Sequence, residues 1–194
     1  MRKHTLIPAA LLLALSAAAQ AHPGHGVSGL ESGLVHPFSG LDHMLTMLAV
    51  GLWSWQIGGA ARWQGPLTFM LMLAVGGALG WAGLAVPGLE TGIAASVVAS
   101  GMLIAFATQP GRTTALAVIG VFAVLHGMAH GLEMPGNASG LTYAAGFVLA
   151  SGLLHAAGLL LGAGQSRVRA SRLLVRGAGV AISATGVALL GGWV

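Results

Sequence analysis

Cysteine is absent from this 194-residue chain. Disulfides, thiolate metal sites and cysteine nucleophiles are therefore excluded. Acid is scarce too: Asp and Glu number 4 against 8 Lys and Arg, and charged residues make up 6%. A soluble domain carries about 25% charged residues, so too little charge is present to coat a water-facing surface. The only lysine is Lys3, which removes the Gly-Lys-Ser/Thr of a phosphate-binding loop and that route to ATP. The arginines are scattered, so the pI near 11.3 comes without a nucleic-acid footprint. What is abundant is apolar. Hydrophobic residues reach 56%, glycines number 32, and the mean hydropathy is +0.86. These values exclude a disordered chain and an ordinary soluble enzyme, and imply a lipid bilayer as the surrounding medium.

Arg2 and Lys3 precede an apolar run from Leu6 to Ala19, and Ala19-Gln20-Ala21 has the small-x-small form of a cleavage site. The pattern reads as a secretory signal peptide over residues 1–21, with an uncleaved signal anchor as the alternative. Cleavage after Ala21 makes His22 the mature terminus. Residues 22–194 are expected to form one all-α polytopic membrane domain. It is a compact bundle of six transmembrane helices at roughly 41–58, 66–86, 90–108, 113–133, 141–163 and 173–193, each near the about 20 apolar residues a span needs. Punctuated loops separate them: Gly58-Gly59, Val86-Pro87-Gly88, Gln109-Pro110-Gly111, Pro135-Gly136-Asn137 and 164–171. Gly76/Gly80, Gly127/Gly131 and Gly158/Gly162 each make a small-residue face for close helix packing.

With His22 outside, six spans put the loops at 59–65, 109–112 and 164–172 inside. Arg62, Arg112, Arg167, Arg169, Arg172 and Arg176 all fall there, as the positive-inside bias requires. Both mature termini then lie outside, in the periplasm, and the chain sits in a bacterial inner membrane. The four acids, Glu31, Asp42, Glu90 and Glu133, all map to the outer side, with most of the histidines. Ionisable residues in membrane segments are costly and mark an ion or substrate path.

Two clusters stand out. The first is His36-Pro-Phe-Ser-Gly-Leu-Asp42-His43, at the head of the first span. Imidazole nitrogen with carboxylate oxygen suits a borderline divalent cation such as nickel, cobalt or zinc. For Asp42 a structural alternative exists, a Ser39-x-x-Asp42 capping box. The second is His126-Gly-Met-Ala-His130-Gly-Leu-Glu133. Spacings of four and three put these ligands on one helical face, with His126 about 10 Å inward from Glu133. Glu133 ends its helix, where the dipole disfavours an anion and calls for a cationic partner. The His-x-x-x-His resembles a zinc protease, but Gly127 stands where the hydrolytic Glu belongs. Three lesser candidates follow. Glu90 opens the third span as a cap or a functional acid. His155 lies about 21 Å along the fifth span, as a transit site, proton carrier or packing residue. His22, with His25, is a candidate metal-capture pair. Met44, Met47, Met128 and Met134 lie near the clusters as packing residues or soft copper(I) ligands.

The paired motifs, the signal peptide, the His22-Pro-Gly start and the six-span plan together resemble the HupE/UreJ family of nickel permeases over nearly the whole chain. The family often carries Phe before the His-Gly of the second motif, where Leu125 stands here. The resemblance implies that His36, Asp42, His43, His126, His130 and Glu133 recognise and pass the metal. It implies import of Ni²⁺, or Co²⁺ in some members, for hydrogenase or urease maturation.

The reading is a metal-ion permease, not an enzyme, with Ni²⁺ or Co²⁺ as transported substrate, no permanently bound cofactor, and neither nucleic acid nor nucleotide as partner. Packing of the first span against the fourth is expected to join the clusters in an outer vestibule. The alternatives are a membrane metalloenzyme, or a haem or structural metal protein using the same histidines.

Overall fold

The computed structural model describes residues 29–134, 140–165 and 169–193. The expected signal peptide, His22, His25, and the loop at Pro135-Gly136-Asn137 lie outside the described residues. Within them the chain is all helix, without a strand: α1 (Gly29–Ser39), α2 (Leu41–Ile57), α3 (Ala61–Trp81), α4 (Leu89–Ala105), α5 (Arg112–Glu133), α6 (Gly140–Gln165) and α7 (Arg169–Leu190).

Element ends depart from the sequence expectation where glycine geometry decides them. The second expected span, 66–86, runs instead from Ala61 to Trp81. Gly58 and Gly59, at φ 82° and 55°, complete the turn early, and Pro66 lies inside the helix at the cost of one hydrogen bond. Gly83, at φ 84°, ends it before Pro87 is reached. The third, 90–108, stops at Ala105 because the chain turns through Ala107 at φ 51°. The last, 173–193, starts at Arg169, since arginine is a good helix former. Helix α1 is not among the expected spans; His36, expected just before the first span, lies within it.

Glycine faces set the packing. Gly76 and Gly80 of α3 lie against α5 at Val124 and Met128, and Gly127 and Gly131 of α5 lie against α3 at Leu73 and Gly77. A Cβ on any of the four would overlap backbone of the facing helix. Gly33 and Gly146 join α1 to α6, and Gly51 and Gly158 join α2 to α6. The broken rod α1–α2 thus runs parallel to α6, and α3 runs parallel to α5. Helix α4 lies antiparallel to α7, through Gly101, Gly179 and Gly186. The expected packing of the first span on the fourth is corrected: α2 packs chiefly on α6, and α5 chiefly on α3.

Charge is sorted to the two ends. Trp53 Nε1 donates to Thr108 O at 2.8 Å, Gln109 Nε2 to Gln56 O at 2.9 Å, and Arg176 Nε to Ala105 O at 2.6 Å. The Arg62 guanidinium lies 4.0 Å over the Trp55 ring. These contacts tie α2, α3, α4 and α7 together at the end of the bundle where the arginines lie. At the other end stand His36, Asp42, His43, His130 and Glu133. Helices α5, α6 and α7 include stretches long and apolar enough to cross a membrane. Helices α2 and α4, at 17 residues each, are about 25 Å long.

Candidate metal centre

The break between α1 and α2 builds half of this site. Ser39 does not cap α2; its hydroxyl donates to His36 O at 2.6 Å. The N-cap is Gly40, in extended conformation and without a side-chain cap bond. The capping box weighed as the alternative for Asp42 is therefore absent. Asp42 Oδ1 instead accepts the His43 backbone N–H at 2.8 Å and meets His43 Nδ1 at 2.7 Å. A carboxylate on Nδ1 fixes the ring and leaves Nε2 free to ligate.

The C-terminal half of α5 supplies the other side. His36 Nε2 lies 3.6 Å from Glu133 Oε2. One ligand atom each from His36, His130 and Glu133 fall within 4.8 Å of one another. Two ligands bound at about 2.1 Å to one ion are at most about 4.2 Å apart, so this trio closes on a cation with a small contraction. The His36 and His130 ring centroids are 4.7 Å apart, His43 and His130 4.1 Å, and His43 and His126 4.9 Å. The six residues of the two sequence clusters thus form one connected group, although their helices are not main packing partners.

Exposure falls inward along the row. The Glu133 and His36 side chains are 58% and 28% exposed, whereas His130 and His126 are 5% and 0% exposed. His43 Nε2, His126 Nε2 and both His130 ring nitrogens are buried with no hydrogen-bond partner among the described residues. Buried polar atoms are nearly always paired, and a neutral imidazole has a single free lone pair, so the three contacting rings offer three unused lone pairs as a donor set awaiting an acceptor. A divalent cation fits that set.

A profile described as HupE / UreJ protein matches residues 10–189. The chain belongs to the HupE/UreJ family. Protein HupE of Rhizobium leguminosarum bv. viciae is 43% identical over 180 residues, covering 93% of this chain and 94% of that protein. No solved structure matches the chain.

In this HupE/UreJ chain the sequence reading missed three aromatic neighbours of the site. Phe147 packs 4.2 Å from the His130 ring. Tyr143 lies 5.7 Å from His36, with its buried hydroxyl unpartnered among the described residues. Phe69 lies 6.1 Å from His126. Tyr143 is the only tyrosine of the chain, the one hint available. Glu90 is exposed in the first turn of α4 and is not gathered into the group. His155 is buried deeper, beside Phe69. Met47 and Met128 are buried in apolar clusters, which is the packing role.

Proposed function

We propose that this protein is a permease that imports Ni²⁺, with Co²⁺ as a second substrate, across a bacterial inner membrane for hydrogenase or urease maturation. Helices α2 to α7 are its six spans, the histidine-rich end faces the periplasm, and both mature termini lie on that side. The observation that carries the reading is the exposure gradient along Glu133, His36, His130 and His126, ending in imidazole nitrogens with no other partner. Family membership supports the same reading.

Glu133 and Asp42 offset the charge of the dication, and neutral imidazoles replace its water. His36, His130 and Glu133 take the ion first, and His43, held by Asp42, and His126 draw it inward. Nitrogen and oxygen donors suit nickel and cobalt. Ligation stays weak enough for the ion to leave inward, as conduction requires. The membrane potential supplies about 4.6 kcal/mol per 100 mV for a dication, so no nucleotide is needed.

The other readings fit the geometry less well. A hydrolytic metalloenzyme needs a general base beside its ligands, but Asp42 is engaged by His43 and Glu133 is itself a donor. A haem needs a macrocycle between axial histidines, whereas His43 and His126 are in direct edge contact.

The test is uptake of radioactive nickel, with cobalt and zinc as competitors, in cells lacking their own importer. Uptake by the wild type, lost in His36→Ala, Asp42→Ala, His130→Ala and Glu133→Ala at equal expression, is the expected result. No uptake above empty vector by folded, inserted protein would overturn the reading.

A further inference from the structure

Beneath the site, one histidine arrangement occurs twice. His126 Nδ1 lies 2.9 Å from Phe122 O, and His155 Nδ1 lies 2.6 Å from Ser151 O, each the carbonyl four residues back. A carbonyl only accepts, so each Nδ1 carries the proton and each neutral ring presents a bare Nε2 lone pair. Both Nε2 atoms are buried and without a hydrogen-bond partner among the described residues. An Nδ1–H held by a backbone carbonyl is how ligating histidines are oriented. A packing role explains the Nδ1 bond of His155 but leaves a fully buried lone pair unused.

One buried side chain neighbours both rings. Phe69, 0% exposed, stands 6.1 Å from His126 and 5.0 Å from His155. On the far side α2 meets α6 at His155 through Gly51. Helix α2 also carries two fully buried hydroxyls with no partner among the described residues, Thr46 Oγ1 and Ser54 Oγ. Ser54 Oγ faces Gly65 of α3. Helix α2 then ends at Ile57, on a pocket shared with Gln109 and Arg112 at the arginine end. Orphaned polar atoms thus continue past the outer site, along a helix that runs from the histidine end to the arginine end.

We propose that His155 Nε2 is an inner transit station for the dication, reached from His126 past Phe69. This rests on the permease reading and adds to it: the ion crosses by stepping between two imidazoles whose Nδ1 is held in the same way. Phe69 borders both stations, an apolar ring that offers the ion no ligand on the step between them.

The test separates binding from passage. His155→Asn keeps an N–H for the Ser151 carbonyl and removes the distal nitrogen. Nickel retained by purified protein is measured by equilibrium dialysis, and uptake is measured in cells, normalised to protein in the membrane. Expected is unchanged binding at the outer site with uptake reduced about tenfold or more, in His155→Asn and His155→Ala alike, whereas His130→Ala loses both. Wild-type uptake by His155→Asn overturns the station. So does loss of binding together with uptake, or absence of this variant from the membrane, since either assigns His155 to support of the fold. A wild type that binds nickel but imports none overturns the permease reading itself.

Discussion

Replacing Gly127 by alanine tests how the fold holds the site. A Cβ on Gly127 overlaps the Leu73 carbonyl oxygen and the Gly77 nitrogen, both backbone atoms of α3. Backbone cannot rotate aside, so α3 and α5 must part by about 1 Å to restore van der Waals separation. Overpacking of this kind costs about 1–3 kcal/mol. His126 and His130 ride on α5, while His43 rides on α2. The same displacement therefore shifts the ring contacts of 4.9 and 4.1 Å on which passage depends. A misplacement of about 1 Å at a reacting centre costs up to about a hundredfold. Gly127→Ala is expected to insert, to unfold earlier in detergent when followed by tryptophan fluorescence, and to import nickel about tenfold more slowly or worse. Gly177→Ala is the control: no atom lies within 4 Å of its added Cβ. There the better helix propensity adds up to about 1 kcal/mol and uptake stays normal. Gly127→Ala with wild-type unfolding and wild-type uptake would refute the close contact and the argument built on it.

Three further outcomes are expected. Asp42→Asn keeps the shape but removes the charge beside His43, so the protein folds normally while nickel affinity, read by equilibrium dialysis, weakens about 10–100-fold. Trp53→Phe removes the 2.8 Å bond to Thr108 O, costing about 1–2 kcal/mol in an unfolding titration and leaving uptake intact. Lowering the outer pH suppresses uptake, because protonation of an imidazole removes its lone pair and adds a repelling charge; burial holds the His36 imidazole below its ordinary value of 6.5, so the loss sets in below that pH. Uptake that stays level down to the carboxylate range at about pH 4 contradicts histidine ligation.

What was legible in the sequence followed from spacing along a single helix. His126, His130 and Glu133 share a face because the helical period dictates it, and Gly76, Gly80, Gly127 and Gly131 announce a close crossing because they lack a Cβ. Contacts across elements were not legible. Helix α1, 11 residues with Pro37 inside, is weak by local propensity, and its backbone is braced by α6 through Gly33 and Gly146. Ser39 and Asp42 fit a capping box in spacing, yet the hydroxyl turned back to His36 O and the carboxylate to His43. The same residue types serve both arrangements, so only geometry separates them. Phe69, Phe147 and Tyr143 look like any apolar residue of a membrane helix. Their place among the histidines depends on which helices become neighbours, and the sequence suggested the wrong pair.

The break at Gly40 explains why His36 and His43 serve one site at all. In one unbroken helix, seven residues would stack them about 10 Å apart along the axis, about two turns apart on a single face. Here the rod bends at Gly40, and both rings touch His130, at 4.7 and 4.1 Å. The bend does not need glycine for its backbone angles, φ −109° and ψ 125°, which any residue adopts. It needs the space. A Cβ on Gly40 would lie 2.6 Å from Asp42 Oδ1 and 3.1 Å from His43 Nδ1. Those are side-chain atoms, so they can yield without unfolding the helix. Gly40→Ala is therefore expected to leave stability near that of the wild type while displacing the Asp42–His43 pair, with nickel binding and uptake falling together. Normal binding in that variant would show that the pair is not held where the site needs it, and that the break has some other purpose.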